Sequence, residues 1–172
     1  MKLNYKRSLK FVTLLISALL IATVSAQIYS YMYIQGSGNI TAGGLSWTLG
    51  TTAPGTASVQ GYTVTNLNLT IQKNTFRNFT DCLHIVNNDA TRHIFSVETT
   101  VMGGNASKFT TFNLVVYNST NSYGTISLKT TGNKASNLYI AGSATMLIRF
   151  EVDPLLDAIS GYMYFTVKLT YE

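Results

Sequence analysis

Apolar and polar residues alternate with a period of two along much of this chain, and clusters of Gly, Asn and Pro cut the alternation into short runs. No other feature constrains the fold as much. In Gly161–Tyr171, Met163, Phe165, Val167, Leu169 and Tyr171 share one face, and Tyr162, Tyr164, Thr166, Lys168 and Thr170 share the other. In Ala144–Val152, Met146, Ile148, Phe150 and Val152 oppose Thr145, Leu147, Arg149 and Glu151. Leu67, Leu69 and Ile71 oppose Asn66, Asn68 and Thr70, and Phe112, Leu114 and Val116 oppose Thr111, Asn113 and Val115. A strand turns successive side chains to opposite faces, so each run has one face to bury and one to expose.

Ten strands are expected: Tyr29–Ile34, Leu45–Leu49, Tyr62–Gln72, Cys82–Val86, His93–Val101, Thr110–Tyr117, Gly124–Lys129, Asn137–Ile140, Ala144–Val152 and Gly161–Tyr171. Turn residues such as Pro54-Gly55, Asn87-Asn88-Asp89 and Gly103-Gly104 separate them. The only helical candidate is the turn Pro154–Ile159. The expected fold is all-β, an antiparallel β-sandwich, Ig-like or jelly-roll-like. At 172 residues the chain has room for one such domain, hardly two.

The outward faces use Thr, Asn and Tyr, and only 11% of residues are charged. The net charge of +5 misleads, because Lys2, Lys6, Arg7 and Lys10 all lie in the first ten residues. From Gln27 onward eight Lys or Arg face seven Asp or Glu, which leaves +1. No basic body remains to grip a phosphate backbone, so no nucleic-acid partner is expected.

Residues 1–26 read as a signal peptide. A basic start precedes the apolar run Phe11–Val24, and Val24-Ser25-Ala26 supplies small residues at the cleavage position. Cleavage is expected between Ala26 and Gln27, which makes membrane contact transient and the product secreted. Fourteen residues are short for a membrane span, which needs roughly 20. A retained anchor extended by Ile28–Ile34, and an archaeal type IV pilin cut before the apolar stretch, are the competing readings. Cys82 is the only cysteine, so no internal disulfide can form. Asn39, Asn68, Asn78, Asn105 and Asn118 are N-glycosylation acceptors by sequence.

Catalytic constellations are scarce. Cys82 and His84 sit two apart on a strand, with Val86 on the same face, and read as core residues rather than a nucleophile and its base. Asp81, His84, His93 and Glu98 show no metal-ligand spacing. Asp153 and Asp157 are placed as caps of the short turn. No catalytic residue, metal or cofactor is expected, and an enzyme is the least favoured class.

The mature N-terminus carries the information. Ile28, Ser30, Met32 and Ile34 fall on one face of an extended segment, Tyr29, Tyr31 and Tyr33 on the other, and Gly36-Ser37-Gly38 follows as a hinge. This segment, 27–38, either folds back as the first strand of its own sandwich, 39–172, or pairs with another subunit. Burying Ile28, Met32 and Ile34 stabilises the pairing by roughly 6 kcal/mol before entropy costs. Head-to-tail use of one such site per subunit does not close on itself and yields a filament.

An export leader ending in Ala, an extended N-terminal segment and a charge-poor, sequon-bearing sandwich follow one another here. Ser25-Ala26-Gln27-Ile28-Tyr29, Gly36-Ser37-Gly38-Asn39-Ile40 and the closing strand Gly161–Tyr171 carry the pattern. It resembles the archaeal surface filament subunits called threads and, more loosely, TasA-like biofilm fibre proteins and archaeal bundling pilins. It departs from bacterial chaperone–usher pilins in lacking their paired cysteines. The resemblance implies a pilin-type sandwich and a homopolymer of identical subunits joined by donor-strand complementation. It also implies glycosylated cell-surface fibres acting in adhesion or biofilm formation. By that analogy Ile28, Tyr29, Tyr31, Met32, Tyr33 and Ile34 form the donor strand. The alternative is a monomeric cell-surface module that binds sugars or an S-layer, with Trp47 as its stacking residue.

Overall fold

The first and last described strands lie side by side, in parallel, in the middle of one sheet. A computed structural model describes residues 31–41, 44–60, 63–72, 74–155 and 162–171. The expected cleavage site at Ala26 and Gln27, and the donor positions Ile28 and Tyr29, lie outside them. The described strands in chain order are β1 (Tyr31–Thr41), β2 (Leu45–Leu49), β3 (Ser58–Gln60), β4 (Thr63–Gln72), β5 (Arg77–Asn87), β6 (His93–Gly104), β7 (Phe109–Tyr117), β8 (Ser122–Ser127), β9 (Lys134–Ile140), β10 (Thr145–Pro154) and β11 (Tyr162–Tyr171). Six form sheet A in the order β3-β4-β1-β11-β6-β9, and five form sheet B in the order β2-β5-β10-β7-β8.

The chain is all-β, with two sheets that bury their facing sides. Alternation does the sorting. Along β10, Met146, Ile148, Phe150 and Val152 are buried and the residues between them are half-buried. Along β11, Met163, Phe165, Val167 and Leu169 are buried. Phe165 of sheet A meets Phe112 of sheet B edge-on, with centroids 5.5 Å apart, and Phe150 at 5.7 Å. These rings join the two layers at the centre of the core.

Three features differ from the sequence reading. The pair β1–β11 is parallel, so sheet A is mixed rather than purely antiparallel. β3 has three residues, too few to show alternation. Pro154 ends β10 instead of opening a helical turn, and Asp153 lies within that strand; residues 156–161, with Asp157, lie outside the described residues. The one helical piece described is a single 3-10 turn, Ala106–Lys108.

Candidate functional site

β1 is the element that an assembly reading depends on. It pairs with β4 on one side, antiparallel, and with β11 on the other, so both of its edges are used. Its register places Met32 opposite Ile71, and Ile34 between Leu69 and Met163, all three partners being buried. The alternation that puts Met32 and Ile34 on one face therefore matches the core positions of both neighbours. Tyr31 and Tyr33 occupy the other register positions, opposite Gln72 and Thr70.

The Gly36-Ser37-Gly38 stretch is not a break. β1 runs through it to Thr41 and includes Asn39. Gly36 lies opposite Phe165, and a Cβ built on it would sit 2.4 Å from that ring's Cζ. The glycine is the space into which Phe165 fits. Ser37 Oγ and Thr166 Oγ1 share a hydrogen bond of 3.0 Å on the opposite, outer face. Composition alone makes Gly-Ser-Gly a hinge; what overrides it is a bulky partner on a strand more than a hundred residues away.

Across from Ser37, β4 carries an extra residue. Gly36 pairs with Leu67 and Gly38 with Val64, so one residue of β1, Ser37, faces two of β4, Thr65 and Asn66. Asn66 takes up the excess in a left-handed conformation, φ 57°, a region open to Asn at little cost.

The connection out of β1 is short. β1 ends at Thr41 in sheet A and β2 begins at Leu45 in sheet B. Four Cα steps reach about 14 Å when fully extended, against about 10 Å between packed sheets.

A polar cluster lies on sheet B. Asp81 is in a left-handed conformation at φ 58°, inside a bulge of β5 opposite β10. Its carboxylate accepts hydrogen bonds from the Thr51 hydroxyl, from the Thr51 backbone N–H at 3.1 Å, and pairs with His84 Nε2. The His84 bond first, and then the two Thr51 bonds, hold the Asp81 carboxyl down at about 2. The carboxylate is the centre of this arrangement, with the hydroxyl and the imidazole on its two sides. A nucleophile needs its hydroxyl on the imidazole, so the cluster is a brace for the bulge and not a catalytic triad.

The bulge also corrects the facing of β5. Leu83 and Ile85 are buried, whereas His84 is half-buried and paired with Asp81, so His84 is not a core residue. Cys82 is fully buried, and burial pushes its thiol up to about 11. His93 pairs with Asp89 at 2.7 Å, at a different place from the Asp81 pair. Among the described residues no three His, Cys, Asp or Glu side chains gather as metal ligands. Trp47 is only 2% exposed, so it is core and cannot serve as a stacking platform.

The glycosylation acceptors differ in surroundings. Asn78 and Asn105 are exposed, while Asn68 and Asn118 are half-buried. Asn118 accepts from the Thr120 and Asn121 backbone N–H groups and donates to the Tyr123 hydroxyl at 2.9 Å. No sequence-level signal pointed to Phe165 or to the Asn66 bulge. The Tyr164/Thr166 face was legible only as the polar side of a strand.

No protein-family model matches the chain, and no curated protein matches it. Among solved structures, the yeast delta-COP-I mu-homology domain aligns over 84% of this chain and 96% of its own, at 8% identity and a TM-score of 0.22. A likeness at that level carries no argument.

Proposed function

We propose that this chain is a secreted structural subunit of an extracellular, pilus-like filament, assembled by donation of β1 to the next copy, in adhesion or biofilm formation. In this reading the sandwich is of pilin type, follows a cleaved leader, and carries glycan on exposed acceptors such as Asn78 and Asn105. One observation carries the reading: the N-terminal strand lies at the centre of sheet A and not at an edge. Take β1 away and the sheet falls into two pieces, β3-β4 and β11-β6-β9. The gap between them has two unpaired ladders and an apolar floor of Leu67, Leu69, Met163 and Phe165. An identical strand from another subunit fits it with identical contacts. The interaction energies then cancel between the two arrangements, and the hinge decides. Only residues 42–44 separate β1 from β2 in the sequence, and short hinges favour exchange.

The second reading, a monomeric cell-surface module, is favoured by the closed register that β1 adopts within its own chain. Electron microscopy and light scattering of the purified native protein separate the two. Fibres that disappear when β1 is deleted support donation. A monomer at every concentration supports the module.

A further inference from the structure

The β4 bulge leaves a hollow of about 320 Å³ in the outer face of sheet A, beside the middle of β1. Ser37, Thr65, Asn66, Tyr164 and Thr166 line it, and none of them is charged. Thr166 and Tyr164 lie on the face of β11 opposite buried Phe165, and Ser37 joins them through its bond to Thr166. The tip of the Tyr164 ring lies over Gly103 of β6, where a Cβ would be 2.4 Å from its hydroxyl. That lean carries the ring's end away from β1, while the ring stays 42% exposed along the hollow.

We propose that this hollow is a binding site for a neutral saccharide. Two hydroxyls that share one hydrogen bond leave one proton and several lone pairs for a third group, and the exposed Asn66 amide offers both a donor and an acceptor. A sugar presents hydroxyls that both donate and accept, together with apolar C–H faces suited to an aromatic ring. An uncharged lining gives an anion no charge-assisted hydrogen bond. A peptide that adds as a strand has no free ladder on the two strands that carry the hydroxyls, since β1 lies between β4 and β11, and β11 lies between β1 and β6. The sugar has two sources. It is free, or it is this chain's own glycan on Asn68, which lies on the outer side of β4 two residues from Asn66. The site needs β1 in place but is indifferent to which copy supplies it, so it stands or falls separately from strand donation.

The test uses the full chain made in a host without N-glycosylation and in one with it, its fold checked by circular dichroism. Saturation-transfer NMR is run with the methyl glycosides of glucose, galactose, mannose and N-acetylglucosamine. The unglycosylated chain is expected to transfer to at least one of them. Asn66→Ala and Thr166→Val should each weaken that binding by about tenfold, and Tyr164→Phe should preserve it. If Asn68 glycan fills the hollow, the glycosylated chain gives no transfer and Asn68→Gln restores it. If free sugar is the ligand, both forms give transfer. Absence of transfer from the folded, unglycosylated chain overturns the site. So does transfer that Asn66→Ala and Thr166→Val leave unchanged.

Discussion

Sheets A and B are built from similar sequences but depend on the chain in different ways. Sheet B, in the order β2-β5-β10-β7-β8, lies wholly downstream of Gly44 and pairs antiparallel throughout. Its main irregularity, the β5 bulge, is braced by Asp81, Thr51 and His84. Sheet A is held together at its centre by β1, attached to the rest through three residues and keyed by Gly36 against Phe165. One sheet completes its pairing without β1, and the other is continuous only when a strand fills its central slot. A fold in which a terminal strand occupies a central slot is suited to exchange between copies.

The comparison breaks most visibly if β1 is dispensable. A chain lacking residues 1–41 is expected to lose its cooperative unfolding transition, because two ladders and the floor of sheet A open together. A synthetic peptide of residues 31–41 should restore the transition, read by urea denaturation. A truncated chain as stable as the parent would show that β1 is no part of the core.

Next in size is the key itself. Gly36→Val places a branched side chain where the Phe165 ring lies, and Phe165 is hemmed in by Phe112 and Phe150. A destabilisation of about 2–3 kcal/mol is expected from denaturant midpoints. Phe165→Leu in the same chain should recover part of it, since the two positions are in contact.

Sheet B should respond to acid through Asp81. Its folded value of about 2 lies below the ordinary 3.8. The stabilisation is therefore present above about pH 4 and is lost as pH falls toward 2. Asp81→Asn should flatten that limb of the stability profile. At neutral pH it should cost less than about 1 kcal/mol, because the site is at the surface. The smallest effect belongs to Cys82. Its buried thiol, raised to about 11, should resist iodoacetamide in the native protein and react only after unfolding.

Much of this was legible in the sequence because burial in a two-layer fold imposes alternation. The faces of β10 and β11 follow from Met146 to Val152 and from Met163 to Leu169, where the extra residues at the register shifts lie on the neighbouring β5 and β6. His84 was misplaced because the Asp81 bulge shifts the phase of β5, and a bulge stabilised by Thr51 is a contact between distant residues. Gly36-Ser37-Gly38 was misread for the same reason, since its partner Phe165 is remote in sequence. The central position of β1 and its parallel pairing with β11 could not be read at all. Periodicity reports which face a strand buries, not which strands lie beside it.

Strand donation can be tested at one atom pair. Ser37 and Thr166 touch across β1 and β11, on adjacent strands whose spacing suits a disulfide, and buried Cys82 does not compete. Chains carrying Ser37→Cys are mixed with chains carrying Thr166→Cys, assembled, oxidised and run on a denaturing gel without reductant. Donation between copies predicts covalent dimers from the mixture, and a ladder of multimers from the doubly substituted chain. No dimer from the mixture, with the double variant closing only on itself as a monomer, would contradict it.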